Sequence, residues 1–214
     1  MDLTQLRIRR LELDDSRLFF TLFNGVRIDE PIKGYLQLET ASAAQRLQWQ
    51  PTADAFGVNW PQLEAPSEEG LINVLDLLWE RRCKAALKRL RGVGGAFAAL
   101  SVQDQALVAL WRMDTEIHNE GFLQFLGDWG DATCQAALRA LEAIGAERTH
   151  ALVAQLRALL DRFEHDPGIR RQEDIAPALR ADERQRLAQL EEAYYDRPDN
   201  LAALGLAHYG LDRG

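Results

Sequence analysis

The densest run of side chains able to do chemistry is Asp114-Thr115-Glu116-Ile117-His118-Asn119-Glu120. Helix residues four apart share a face, so Asp114 sits beside His118 and Glu116 beside Glu120. A carboxylate next to an imidazole can hold a metal ion or act as an acid/base pair. An enzyme would therefore use Asp114, Glu116 and His118. The rival reading is a helix end with a solvated face and a capping Asn or Gly. It is preferred, because no second ligand group of the His-Glu-x-x-His kind accompanies the cluster.

Elsewhere the chemistry is sparser. His150, His165 and His208 stand alone and suit surface or cap roles. Cys83 and Cys134 lie 51 positions apart without metal-ligand or redox spacing, which fits two reduced structural cysteines. Gly92-Val93-Gly94-Gly95 matches neither phosphate-loop spacing and follows a helical pattern, so it reads as a connection. No Gly-x-Ser-x-Gly elbow occurs. We expect no catalytic residue, no metal site and no cofactor.

The elements that must position these residues fall into two kinds. The chain has 214 residues, 47% hydrophobic and 27% charged, enough for a core without staples. Arg7 to Leu13 and Arg17 to Phe23 read as strands around the turn cluster Asp14-Asp15-Ser16. Asn24-Gly25 between apolar runs predicts a hairpin, with positive φ at both central residues of a type I′ turn. Leu18, Phe20 and Leu22 line one face, and Phe19 and Phe23 the other. A short helix is expected from Ser42 to Trp49 and a last strand from Ala55 to Pro61.

From Ser67 the spacing of apolar residues becomes helical. A helix is expected from a Ser67 cap to Arg91, and a second one after the Ser101 cap, stopping at Gly121. A third follows Asp131 and stops at Gly145. A fourth spans Glu147 to Phe163, then a loop runs from His165 to Arg180. Two more helices span Asp182 to Tyr195 and, after an Asp199 cap, Asn200 to Tyr209. The fold class is therefore α+β: a β-hairpin, helix and strand domain over 1–66, a basic helix with a Gly-rich connection over 67–98, and an all-helical bundle over 99–214.

The net charge is −8, unevenly spread: −4 over 1–70, +4 over 71–91 and −8 over 92–214. Phosphate neutralisation drives nucleic-acid binding, so the acidic parts argue against nucleic acid as the partner. The basic run Arg81 to Arg91 reads as the solvated stripe of an amphipathic helix. No apolar stretch reaches the length of a membrane span. Met1-Asp2-Leu3-Thr4 lacks a secretory pattern, and a cytoplasmic location is expected.

The stretch from Trp111, Trp-Arg-Met-Asp-Thr-Glu-Ile-His-Asn-Glu-Gly-Phe-Leu-Gln-Phe, resembles the helical domain of the bacterial DNA-mimic protein family. The matching residues are Ile117, Asn119, Gly121, Phe122, Gln124 and Phe125. Ala140 to Ala146 and Leu190 to Leu204, with Tyr194-Tyr195-Asp196, are also similar, so the resemblance covers most of 71–210. Glu120 stands where the family has the first glycine of a Gly-Gly pair. A positive φ there would strain it. The N-terminal region resembles a small bacterial α+β family of unknown function through Asn24-Gly25, Leu38, Ala41, Gln45-Arg46, Trp49 and Gly57-Val58-Asn59-Trp60-Pro61. Some members of that family look like antitoxin-type or regulatory proteins.

The resemblance implies a non-enzymatic interaction or regulatory protein, with DNA mimicry against a transcription factor as its sharp form. Mimicry needs carboxylates spaced like phosphates on one surface. The candidates are Asp128, Asp131, Glu173, Asp174, Asp182, Glu183, Glu191, Glu192, Asp196 and Asp199, interleaved with Arg170, Arg171, Arg180, Arg184 and Arg186. The alternatives are the enzyme at Asp114, Glu116 and His118, an antitoxin-like regulator, and a module that dimerises through apolar helical faces.

Overall fold

The computed structural model describes residues 1–63, 70–163, 166, 168, 169 and 174–211. The chain is α+β and divides into two compact units, Met1–Glu80 and Arg81–Gly214.

In the first unit, β1 (Ile8–Leu13), β2 (Arg17–Leu22) and β3 (Arg27–Pro31) form an antiparallel sheet in that order. Leu18, Phe20 and Leu22 are buried, as their period of two demands, with Ile28 paired opposite Phe20. Ile8 and Leu11 are both buried although three positions apart. A register shift between Ile8 and Arg10 restores the alternation, as a β-bulge does. Phe19 is half-buried, but Phe23 is exposed.

The hairpin lies at Asn24-Gly25, with a different turn from the expected one. Gly25 N–H donates to the Leu22 carbonyl and Leu22 N–H to the Val26 carbonyl, leaving three residues in the loop. Only Gly25 has positive φ, +84°. Asn24 instead uses its side chain, accepting from Val26 N–H at 3.0 Å. This is the three-residue loop with one left-handed glycine, and its twist also suits a hairpin.

Two short helices follow, α1 (Leu36–Thr40) and α2 (Ala43–Arg46). Ser42 and Gln45 close a capping box on α2. A second small sheet joins β4 (Gln50–Pro51), β5 (Gly57–Asn59) and β6 (Ile72–Asn73). Arg46 fixes the loops around it: its guanidinium donates to the carbonyls of Leu38, Asp15 and Glu39. The Arg46 carbonyl accepts from the buried Trp60 indole at 2.8 Å.

The helix expected from Ser67 starts later. Ile72–Asn73 is a strand, Asn73 Oδ1 accepts from Leu75 N–H, and α3 runs Val74–Gly92. Ser67 lies outside the described residues. The apolar run Leu71 to Leu75 fits either element, which is why spacing alone misplaced the start.

The second unit is helical: α4 (Val102–Glu120), α5 (Phe122–Ile144), α6 (Glu147–Ala158), α7 (Ile175–Ala178), α8 (Ala181–Tyr195) and α9 (Leu201–Tyr209). Ser101 caps α4 through Asp104 N–H, and Gly145 ends α5 in the left-handed region. The helix expected after Asp131 begins nine residues earlier, at Phe122, and passes a break at Gly130 (φ 74°, ψ 168°). The segment before the break is only about two turns long, too short to show a period. The expected loop from His165 includes the short α7, and His165 itself is outside the described residues. The core gathers Leu107, Leu110, Met113 and Ile117 of α4 against Phe122, Phe125, Cys134 and Leu141 of α5, with Val153, Leu156, Leu190, Tyr194 and Leu206. No helix among the described residues is long and apolar enough to cross a membrane.

Candidate functional site

The motif residues build the corner where α4 turns back as α5. Gly121 is the whole connection, with φ 91° and ψ 173°, a conformation open essentially to glycine. Ile117, Phe122 and Phe125 are fully buried, and the two phenylalanine rings lie 6.1 Å apart. Gln124 donates to Asp128 at 3.0 Å, and Asn119 is exposed at the end of α4. Glu120 does not have positive φ. The strain foreseen for it is absent, because the left-handed demand falls one residue later.

Glu191 of α8 closes this corner. Its carboxylate accepts from Phe122 N–H at 2.7 Å, meeting an orphan amide at the start of α5. A Cβ on Gly121 would stand 2.8 Å from the same carboxylate oxygen. Glycine is therefore needed twice, for backbone angle and for space.

Asp114, Glu116 and His118 do not converge. His118 Nδ1 lies 2.8 Å from the Asp114 carbonyl oxygen and 3.3 Å from its Oδ1, and Tyr194 of α8 donates to the same Oδ1 at 3.1 Å. The imidazole also packs against Tyr194 and Tyr195, at 5.2 and 5.8 Å between centroids. The hydrogen bond to Asp114 raises the His118 pKa, against the opposing effect of burial. Burial, then the Asp114 charge, hold the Tyr194 phenol well above its ordinary value. Glu116 turns elsewhere, accepting from the Trp129 indole at 3.2 Å, while Arg112 lies 3.8 Å from the Trp129 ring centroid. Among the described residues no three His, Cys, Asp or Glu side chains are grouped to hold a metal. Burial pushes the Cys134 thiol up to about 12.

The ten acidic candidates separate into two groups. Glu183 is buried; Arg162 donates to it through two nitrogens at 2.8 and 2.7 Å, and Arg180 N–H adds a third bond. These partners hold its carboxyl down to about 2. Asp199 accepts from Thr149 N–H at 2.7 Å and so caps α6, which has no side-chain cap of its own. The cap of α9 is Asn200, accepting from Ala203 N–H, and not Asp199 as expected. Asp131 is paired with Arg157, Asp182 faces Arg180, and Asp174 is half-buried before α7. Glu173 lies outside the described residues. Asp128, Glu192 and Asp196 are exposed, as is Glu120.

Sequence spacing missed most of these partnerships. Arg180 and Glu183 stand at cap spacing, a local signal. Arg162 with Glu183, Asp199 with Thr149 and Tyr194 with Asp114 join residues 21, 50 and 80 positions apart, which no local pattern reveals.

No curated protein and no solved structure matches the chain. The family model of the DMP19-like proteins matches residues 98–213. The match begins before α4 and takes in the Gly121 corner and helices α4 to α9, leaving residues 1–97 to be read on their own. Covering more than half of the sequence, it shows that the chain belongs to the DMP19-like protein family.

Proposed function

We propose that the helical domain is a DNA-mimic module that occupies the nucleic-acid-binding face of a DNA-binding protein, and so regulates it without catalysis. The family match over residues 98–213 carries this reading. The arrangement of exposed acids supports it. Glu120, Asp128, Glu192 and Asp196 are exposed. Glu192 and Asp196 are four apart at the end of α8, a helical spacing of about 6 Å. Glu120 adjoins Gly121, which lies against Glu191 of the same helix. Exposed carboxylates of this kind attract a cationic surface and compete with phosphate for it.

The test is capture of partners from native cell extract, followed by competition with duplex DNA. The expected partner binds DNA and the chain in mutually exclusive fashion, with affinity falling as salt rises. The triple variant Asp128→Lys, Glu192→Lys, Asp196→Lys should weaken the complex at least about tenfold, equivalent to ~1.4 kcal/mol. A captured protein that holds DNA and the chain together, or one indifferent to the triple variant, would overturn the reading.

The N-terminal unit enters this proposal only as an attached regulatory module. The residues of its resemblance to a small α+β family, some members of which look like antitoxin-type or regulatory proteins, serve the fold here: Leu38 is buried, Gln45 caps α2 and Arg46 ties three carbonyls. Homodimerisation of the helical domain is part of the same proposal, and light scattering across concentrations tests it.

A further inference from the structure

A groove of about 520 Å³ runs along the helical unit between α4, α5 and α9, away from the Gly121 corner. Its volume is within the roughly 300–1,000 Å³ of small-molecule sites. Alanines make the floor: Ala136, Ala140 and Ala143 of α5, with Ala106 of α4. Small side chains at this helical spacing leave room that larger ones would fill.

The walls are polar and one-signed. Arg139 of α5, His208 and Tyr209 of α9, and Gln103 of α4 line the groove. Among the described residues that line it there is no aspartate or glutamate, although the chain carries a net charge of −8. Arg139 is exposed, and it forms no ion pair with a described residue. Gln103 sits in the first turn of α4, a 19-residue helix whose positive dipole end lies there. Apolar floor, free cation, imidazole and helix start together select an anion with an apolar body.

We propose that this groove binds a small amphipathic carboxylate, its hydrocarbon on the alanine floor and its carboxylate on Arg139, as a ligand site separate from the DNA-mimic surface. A guanidinium suits that head group because it can offer two parallel N–H donors.

The probe is octanoate, titrated into the full chain with alanine methyl groups observed by NMR. Saturable shifts are expected at Ala136, Ala140 and Ala143, and octanol should bind at least about tenfold more weakly. Arg139→Gln should weaken octanoate about tenfold without affecting octanol, since a hydrogen bond to a charged group is lost. Ala143→Trp should abolish both by filling the groove. Arg139 and Ala143 are exposed, so the fold tolerates both changes, and unchanged circular dichroism and melting verify that. Equal binding of octanol and octanoate, shifts spread over other alanines, or octanoate binding that survives Ala143→Trp would each overturn the proposal. Loss of partner capture would not bear on it, because the groove shares no lining residue with the acidic patch.

Discussion

At their longest side-chain-to-backbone bonds the two units use opposite charges, although Asp14, Glu39 and Asp54 also take nearby amides in the first unit and Arg162 and Arg184 take carbonyls in the second. In the N-terminal unit a cation collects backbone carbonyls: Arg46 binds those of Leu38, Asp15 and Glu39. In the helical unit anions collect backbone amides. Glu191 takes Phe122 N–H, Asp199 takes Thr149 N–H and Glu183 takes Arg180 N–H. The difference follows from the elements. Irregular loops around short helices leave carbonyls to be met, whereas helix starts leave amides. The lesson concerns the acidity of the helical domain. Glu183, Glu191 and Asp199 are spent on helix ends, while Asp128, Glu192 and Asp196 are exposed.

The largest effect should come from the corner where an anion and a glycine depend on each other. Gly121→Ala places a Cβ 2.8 Å from the Glu191 carboxylate and forces alanine to φ 91°. A loss of about 3 kcal/mol is expected in urea unfolding, the upper end for a residue held in a forbidden region. Adding Glu191→Ala relieves the clash but not the angle, so the double variant should recover part of the loss. A Gly121→Ala chain as stable as the parent would break the account of this corner.

The cation side of the comparison is tested by Arg46→Met, which keeps an unbranched apolar stem and removes the donors. Three carbonyls lose a charged partner, and a destabilisation of about 2 kcal/mol is expected. The loss should appear in hydrogen exchange of the first unit, with the amides of α4 to α9 unchanged. Uniform loosening of both units would show that the division is not energetic.

Next in size is Asp199→Ala, which removes the cap of α6. Helix caps contribute about 1 kcal/mol, and the melting temperature should fall accordingly. Asp199→Asn should retain most of that stability, because the amide oxygen still accepts from Thr149 N–H. If Asn and Ala behaved alike, the contribution would be the charge near the helix dipole and not the hydrogen bond.

The sequence made part of this plan legible. The hairpin, the Ser101 cap, and the stops at Gly121 and Gly145 are local chemistry, and local chemistry is written in adjacent residues. Two local errors share one cause. The starts of α3 and α5 were misjudged where an apolar run was too short for its period to decide. The corner was legible as a motif through Gly121, Phe122 and Phe125, yet its closure by Glu191 was not. That bond spans 69 positions and depends on how α8 packs. For the same reason Asp199 read as a cap for its own helix, when it serves another.

The smallest effect belongs to a titrating link between α4 and α8. His118 shares the Asp114 side chain with Tyr194, and its pKa is raised above the ordinary 6.5. A raised folded-state pKa means that the protonated ring is favoured by the fold. Its contribution is therefore full below 6.5 and is lost as pH climbs through the raised value. Stability measured at steps from pH 5.5 to pH 8 should decline gently over that interval, and His118→Gln should flatten the decline by lowering its acid end. Asp114→Asn should flatten it as well, since it weakens the hydrogen bond to the carboxylate that raises the His118 pKa, while Arg46→Met leaves the slope alone. A slope that persists in His118→Gln would assign the titration to another group and detach this histidine from the hold of α8 on the corner.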